Sequence, residues 1–273
     1  RGRGPLMLEF AFMQRALLAS VIVGFCLGLL GFFVILRRLA FVGVGISHSA
    51  LAGVAAGVAL GINPMYSAGA FAVVVAVAIA NISRRVRLSE DAIIGVFFSA
   101  SMALGLVILG MSQGYRQDLM GYLFGNVLAV SATELWVLAG VAVGIVLILA
   151  VTFKKMLFVA FDPELARAYG HPVDRLDTLL LVVLAVTVVI GVRTVGILLV
   201  TGLLVIPAAT AALLTHNFRS QLALAATLGA GASAGGLALA YRLDIAVGAS
   251  VVLLAAGVFF AAALLRPSSS NQR

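Results

Sequence analysis

Charge is what this sequence has least of. Of its 273 residues, 10% are Asp, Glu, Lys or Arg against 63% hydrophobic, a balance outside that of water-soluble domains. The scarcity excludes a soluble globular fold, and the lack of strand-like alternation excludes a β-barrel. A single cysteine, Cys26 in the first apolar run, leaves no disulfide framework and no CxxC metal motif. Lysine occurs only at Lys154 and Lys155, with no glycine-rich loop before them, so there is no P-loop for ATP. No Ser/His/Asp or Cys/His nucleophile set stands in a pocket-forming pattern, and the chain does not read as an enzyme on its own. The net charge of +8 would suggest nucleic acid in a soluble protein. Here most arginines end apolar runs, where positive charge orients membrane helices, and nucleic-acid binding is set aside.

What is present in quantity is apolar length. Runs near 14–36, 39–61, 64–82, 91–111, 132–153, 177–192, 195–214, 220–241 and 245–265 each approach the roughly 20 residues a helix needs to cross the hydrocarbon core. The expected fold is an all-α, multi-pass integral membrane protein, a bundle of eight or nine transmembrane helices. Nine crossings place Arg37, Arg38, Arg84, Arg85, Arg87, Lys154, Lys155, Arg167, Arg175, Arg219 and Arg266 on one side, cytoplasmic by the positive-inside rule. Arg116, Arg193 and Arg242 are exceptions on the other. The eight-crossing alternative makes Asp118 to Val130 a re-entrant or interfacial piece on the outer side. Residues 1–6, before Met7, read as an upstream segment, 7–266 as one transmembrane domain and 267–273 as a polar cytoplasmic tail.

One long polar passage interrupts the apolar sequence, Phe161 to Asp177. Asp162-Pro163 opens a helix and Gly170 and Pro172 close it. Too short to span, it is expected to lie in the cytoplasm and dock a partner protein. Small residues at four-residue spacing, Gly53/Gly57/Gly61, Gly24/Gly28 and Gly231/Gly235, predict close helix packing. In the run 195–214, Pro207 removes a backbone donor and Gly196 and Gly202 loosen the same helix, which predicts a kinked or broken helix and a candidate pathway wall.

Ionisable groups inside spans are costly and therefore candidates for function. His48 is the one histidine placed within a span. An imidazole there offers a moving metal ion a strong contact, or else is satisfied by a backbone carbonyl. Glu90 and Asp91 open the fourth span, where they favour a helix N-terminus or line a cation exit, with Asp91 the second candidate metal contact. Asp118 and Asp244 fall on the outer side, and His171 and His216 are expected to be solvated.

Six stretches in order resemble the membrane subunit of the ABC-3 family, the permeases of bacterial zinc, manganese and iron uptake systems: 37–57, 90–100 (EDAIIGVFFSA), 118–135, 161–170 (FDPELARAYG), 195–211 and 243–253. The resemblance implies a fold like the vitamin B12 permease type of importer. It implies a homodimer in the bacterial cytoplasmic membrane, with lipid around it, two ATPase subunits that bind and hydrolyse the ATP, and an extracytoplasmic metal-binding protein. Asp162, Pro163, Glu164, Leu165, Ala166, Arg167 and Gly170 would then form the coupling helix, and a divalent metal, zinc first, would be imported by alternating access with no cofactor held by this chain. The family's second-span motif carries Asp four residues before His; here Val44 precedes His48. Import of a metal chelate and an ion-gradient-driven carrier are the alternatives, and the polar passage argues against the second.

Overall fold

The computed structural model describes residues 10–111 and 129–265. Ten helices occupy them: α1 (Ala11–Leu36), α2 (Val42–Ala59), α3 (Pro64–Arg85), α4 (Glu90–Met111), α5 (Ala132–Phe161), α6 (Pro163–Ala168), α7 (Val173–Val195), α8 (Ile197–Leu214), α9 (Phe218–Leu243) and α10 (Val247–Leu265). All but α6 are long and apolar enough to cross a membrane, which makes nine candidate spans among the described residues. Residues 1–6, Arg116, nearly all of the 118–130 stretch and the tail from Arg266 lie outside the described residues.

Local chemistry sets the helix starts. Asn63 accepts from the Met65 amide at 3.0 Å with Pro64 at the first helical position. Ser131 and Glu134 form a reciprocal capping box on α5, and Asn217 caps α9. α5 continues eight residues beyond its expected end at 153. Thirty residues make a helix of about 45 Å against a hydrocarbon core of about 30 Å, so its last turns carry α6 clear of the bilayer. Arginines 37 and 84 gather at this same end, and Tyr66 and Trp136, both exposed, lie at the opposite one.

Backbones approach closely where side chains are small. A methyl group on Gly24 or Gly28 of α1 would lie 2.4 and 2.3 Å from carbonyl oxygens of Gly229 and Ala225 on α9. Gly53 and Gly57 seat α3 in the same way, against Ala68 and Ser67. The third member of that repeat, Gly61, packs on nothing and instead makes the α2–α3 turn with φ +67°. On α9 the seats are Gly229 and Gly236, the latter against the Val251 backbone, and not the expected pair: Gly231 meets nothing within 4 Å and Gly235 only a leucine methyl. Of the residues expected to loosen this run, Gly196 makes the break and Pro207 does not. α8 remains helical through Pro207, and the break is at Gly196, with φ +88°, between α7 and α8. A glycine between two helices, not an internal proline, marks the discontinuity because only glycine reaches that backbone region freely.

Candidate functional site

The seam between α2 and α4 places the histidine. Down it run Gly45 against Ile94, His48 against Phe98, Ser49 against Ser101 and Ala52 against Gly105, the three- and four-residue steps of one helix face on each side. A methyl on Gly45 would lie 2.6 Å from Ile94 Cγ2, and the two serine hydroxyls are 3.1 Å apart. Between these contacts the His48 ring is half-buried, 4.8 Å from the Phe98 ring and nearly perpendicular to it. Its Nδ1 is 2.9 Å from the carbonyl oxygen of Val44. A carbonyl only accepts, so Nδ1 carries the proton and donates; in a neutral ring Nε2 would then keep its lone pair. The backbone-satisfied reading of His48 is the one this contact describes. The backbone takes one nitrogen and leaves the other in the form that ligates metals.

Asp91 is not brought to His48. Phe98 is seven residues further along α4, a rise of about 10 Å, whereas ligand atoms sit within about 2–2.6 Å of an ion. Among the described residues no three His, Cys, Asp or Glu side chains group as a metal site. Asp91 Oδ1 is buried with no hydrogen-bond partner, while its neighbour Glu90 lies 3.7 Å from Arg37.

The end of the bundle that carries α6 holds an ionic network that sequence spacing did not reveal. Arg37, at the end of α1, pairs with Asp177 of α7, and both side chains are largely buried, 16% and 20% exposed. Arg84, ending α3, bonds the Asp174 carbonyl and Thr178 Oγ1 and lies 3.5 Å from the Asp174 carboxylate. Asp174 also accepts from Arg167 of α6 at 2.9 Å. Between α6 and the bundle lies a cavity of about 340 Å³, with Arg37, Arg84, Glu90, Glu164, Arg167 and Asp177 on its walls.

The polar passage 161–177 is thus two structures. Asp162 caps α6 through the Leu165 amide at 2.8 Å, Pro163 opens it and Gly170 ends it at φ +78°. Asp162, Pro163, Glu164, Leu165 and Arg167 are exposed, Ala166 is buried, and Phe161 and Tyr169 add exposed apolar surface. Asp174 and Asp177 belong to the opening turns of α7 and pair with arginines, Asp174 exposed and Asp177 half-buried. His171, expected to be solvated, is half-buried with its ring 5.6 Å from that of Phe158; His216 is exposed as expected.

At the outer end Arg193 of α7 pairs with Glu134 of α5, and its other guanidinium nitrogen is 2.8 Å from the Met65 sulfur of α3. The ion pair neutralises one of the exceptions to the positive-inside pattern. Gly202 seats Val252 of α10, and Pro207 lines an apolar cavity of about 190 Å³ shared with α9 and α10. Phe98, Ser101 and the Arg37–Asp177 pair escaped the sequence reading. The only signal for them was polar or aromatic character at matching depth on separate helices.

Known proteins are similar to this chain. The manganese transport system membrane protein MntC of Halalkalibacterium halodurans is 39% identical over 261 residues, covering 96% of this chain and 89% of that protein. The high-affinity zinc uptake system membrane protein ZnuB of Haemophilus influenzae is 34% identical over 251 residues, covering 92% and 96%. Among solved structures, a chain of PsaBC from Streptococcus pneumoniae in complex with Fab superposes with a TM-score of 0.84 at 36% identity, covering 96% of this chain and 94% of that one. Residues 9–266 match the ABC 3 transport family. With nine candidate spans among the described residues and a match over nearly its whole length, the chain is a multi-pass bacterial inner-membrane protein and belongs to the ABC 3 transport family.

Proposed function

We propose that this chain is the translocating subunit of an ATP-driven importer that moves a divalent transition metal ion into the cytoplasm, with 7–266 as one permease domain. The observation that carries the reading is the half-buried His48, whose Nδ1 is held by Val44 and whose Nε2 is left free as a ligand at membrane depth. The relatives named for manganese and zinc transport support the cargo class. One histidine is not an ion's full shell, so a second copy of the chain supplies another His48 across a shared pathway, and the exposed faces of α4, α5 and α10 leave room for that copy. Partner ATPases bind and hydrolyse the ATP, pushing on α6 at Asp162, Pro163, Glu164, Leu165, Ala166, Arg167 and Gly170, and an extracytoplasmic binding protein delivers the ion. Alternating access follows as α6 and the helices tied to it move as bodies, with α8 around Gly202 and Pro207 as a wall of the path.

Zinc is the ion that the ligand chemistry favours. Imidazole without the family's aspartate, replaced here by Val44, suits a borderline-soft ion better than manganese, which takes carboxylate oxygens. The manganese-named relatives pull the other way, so the two ions are compared directly. In vesicles holding the chain with its ATPase and binding protein, labelled zinc should enter only with ATP and outcompete manganese. His48→Ala should lower the uptake about tenfold or more. A complex that hydrolyses ATP yet moves neither ion overturns the reading in favour of a chelate.

A further inference from the structure

We infer that Phe98 is a positioning residue for His48, holding the imidazole so that Nε2 meets the passing ion at one angle. The inference rests on the reading of His48 as an ion contact. The terminal torsion of histidine is broad, and a single hydrogen bond from Nδ1 to the Val44 carbonyl leaves the ring free to swing about that point. The Phe98 ring stands 4.8 Å away at 81° and closes one side of the swing. It has no atom that can bind a cation in the coordination sense, so its effect on an ion passes through the imidazole.

Phe98 is itself held. Ile94 one turn before it presses on Gly45, Ser101 one turn after it meets Ser49, and Gly105 a turn further lies against Ala52. Substitution at any of these would shift α4 on α2, and with it the ring. α4 leans chiefly on α2 and lightly on α3, so the register of this seam is what fixes Phe98, and Phe98 is the aromatic that α4 presents to His48.

The test is uptake of Zn²⁺ by the complete complex, with half-saturating concentration and maximal rate measured separately. Phe98→Leu keeps an apolar side chain in the seam but loses the ring, and should raise the half-saturating concentration about two- to tenfold, the worth of an edge-to-face pair, with the maximal rate less affected. Phe98→Tyr keeps the ring and should stay near wild type. In a His48→Gln background, which retains a weaker neutral ligand, Phe98→Leu should add no further shift. Equal shifts in both backgrounds, or none in either, overturn the inference while leaving His48 in place. Unaltered uptake in His48→Ala removes the ion contact, and the role of Phe98 with it.

Discussion

Two sets of helices in this bundle are built differently. In α1, α2 and α7 the central windows are 72%, 67% and 67% buried, whereas in α4, α5 and α10 they are 22%, 17% and 17% buried. Hydropathy does not separate them, since α5 and α1 are equally apolar at 2.7 and 2.6. In lipid no hydrophobic force sorts apolar helices into a core, so the sorting is done by shape. α1 and α2 carry glycines that a neighbouring backbone fills, and α7 carries charges that find partners at both ends, Asp174 and Asp177 inside and Arg193 outside. Gly140 and Gly144 of α5 and Gly257 of α10 face nothing within 4 Å. The first set forms a rigid frame, and the second is the surface left for lipid, a second copy or movement.

The largest expected effect breaks that frame. In Gly28→Leu the new side chain starts 2.3 Å from the Ala225 carbonyl oxygen, with backbone on both sides that cannot yield. Overpacking of this kind costs about 3 kcal/mol or more, and thermal unfolding in detergent should shift down by several degrees or the protein should fail to accumulate. Gly257→Ala, on the open side, should be neutral or stabilising by up to about 1 kcal/mol, since alanine is the better helix former. Equal losses from both would show that glycine content, not seating, distinguishes the two sets.

The sequence made part of this contrast legible. Caps are local, so Asp162 with Pro163 could be read as the opening of α6 from residues three apart. Gly24 and Gly28 were read as a packing face, because four-residue spacing on an apolar helix has few other uses. The same spacing misled at Gly61, where the residue makes a left-handed turn, and at Gly231 and Gly235, where the filled positions are two residues before and one after. Spacing gives a face but not the direction of the neighbour. The Arg37–Asp177 pair joins residues 140 positions apart, and no local pattern announces it. His48 was legible as a costly residue in a span. Its tautomer was not, because that depends on where the Val44 carbonyl points.

A middle-sized effect tests whether charge fastens the frame as small residues do. Asp177→Ala leaves Arg37, largely buried, with only the more distant Glu90 at 3.7 Å. Removing one partner of a buried pair costs about 3–5 kcal/mol. Residual exposure and the second carboxylate reduce that here to about 2 kcal/mol, read as a lower unfolding midpoint. Asp177→Glu should recover part of it. A loss no greater than that of an exposed pair would mean that Arg37 is satisfied by Glu90 and water, and that small residues alone hold α1 to α7.

The smallest effect lies at the junction of frame and surface. Arg167 and Asp174 are 56% and 55% exposed, and an ion pair so placed contributes about 0–1 kcal/mol. Arg167→Ala should therefore leave the unfolding midpoint of the complex nearly unchanged, in contrast to Asp177→Ala. Its consequence should appear in function. Asp174 is shared with Arg84 of α3, so the pair is a side-chain tie from α6 to both α3 and α7, and without it part of a push on α6 is lost as local motion. More ATP hydrolysed per ion imported, at unaltered stability, is the expected result. An unchanged ratio would assign the transmission to the backbone at Gly170 and to buried Ala166, leaving the exposed pair as surface decoration on a helix already rigidly joined to the frame.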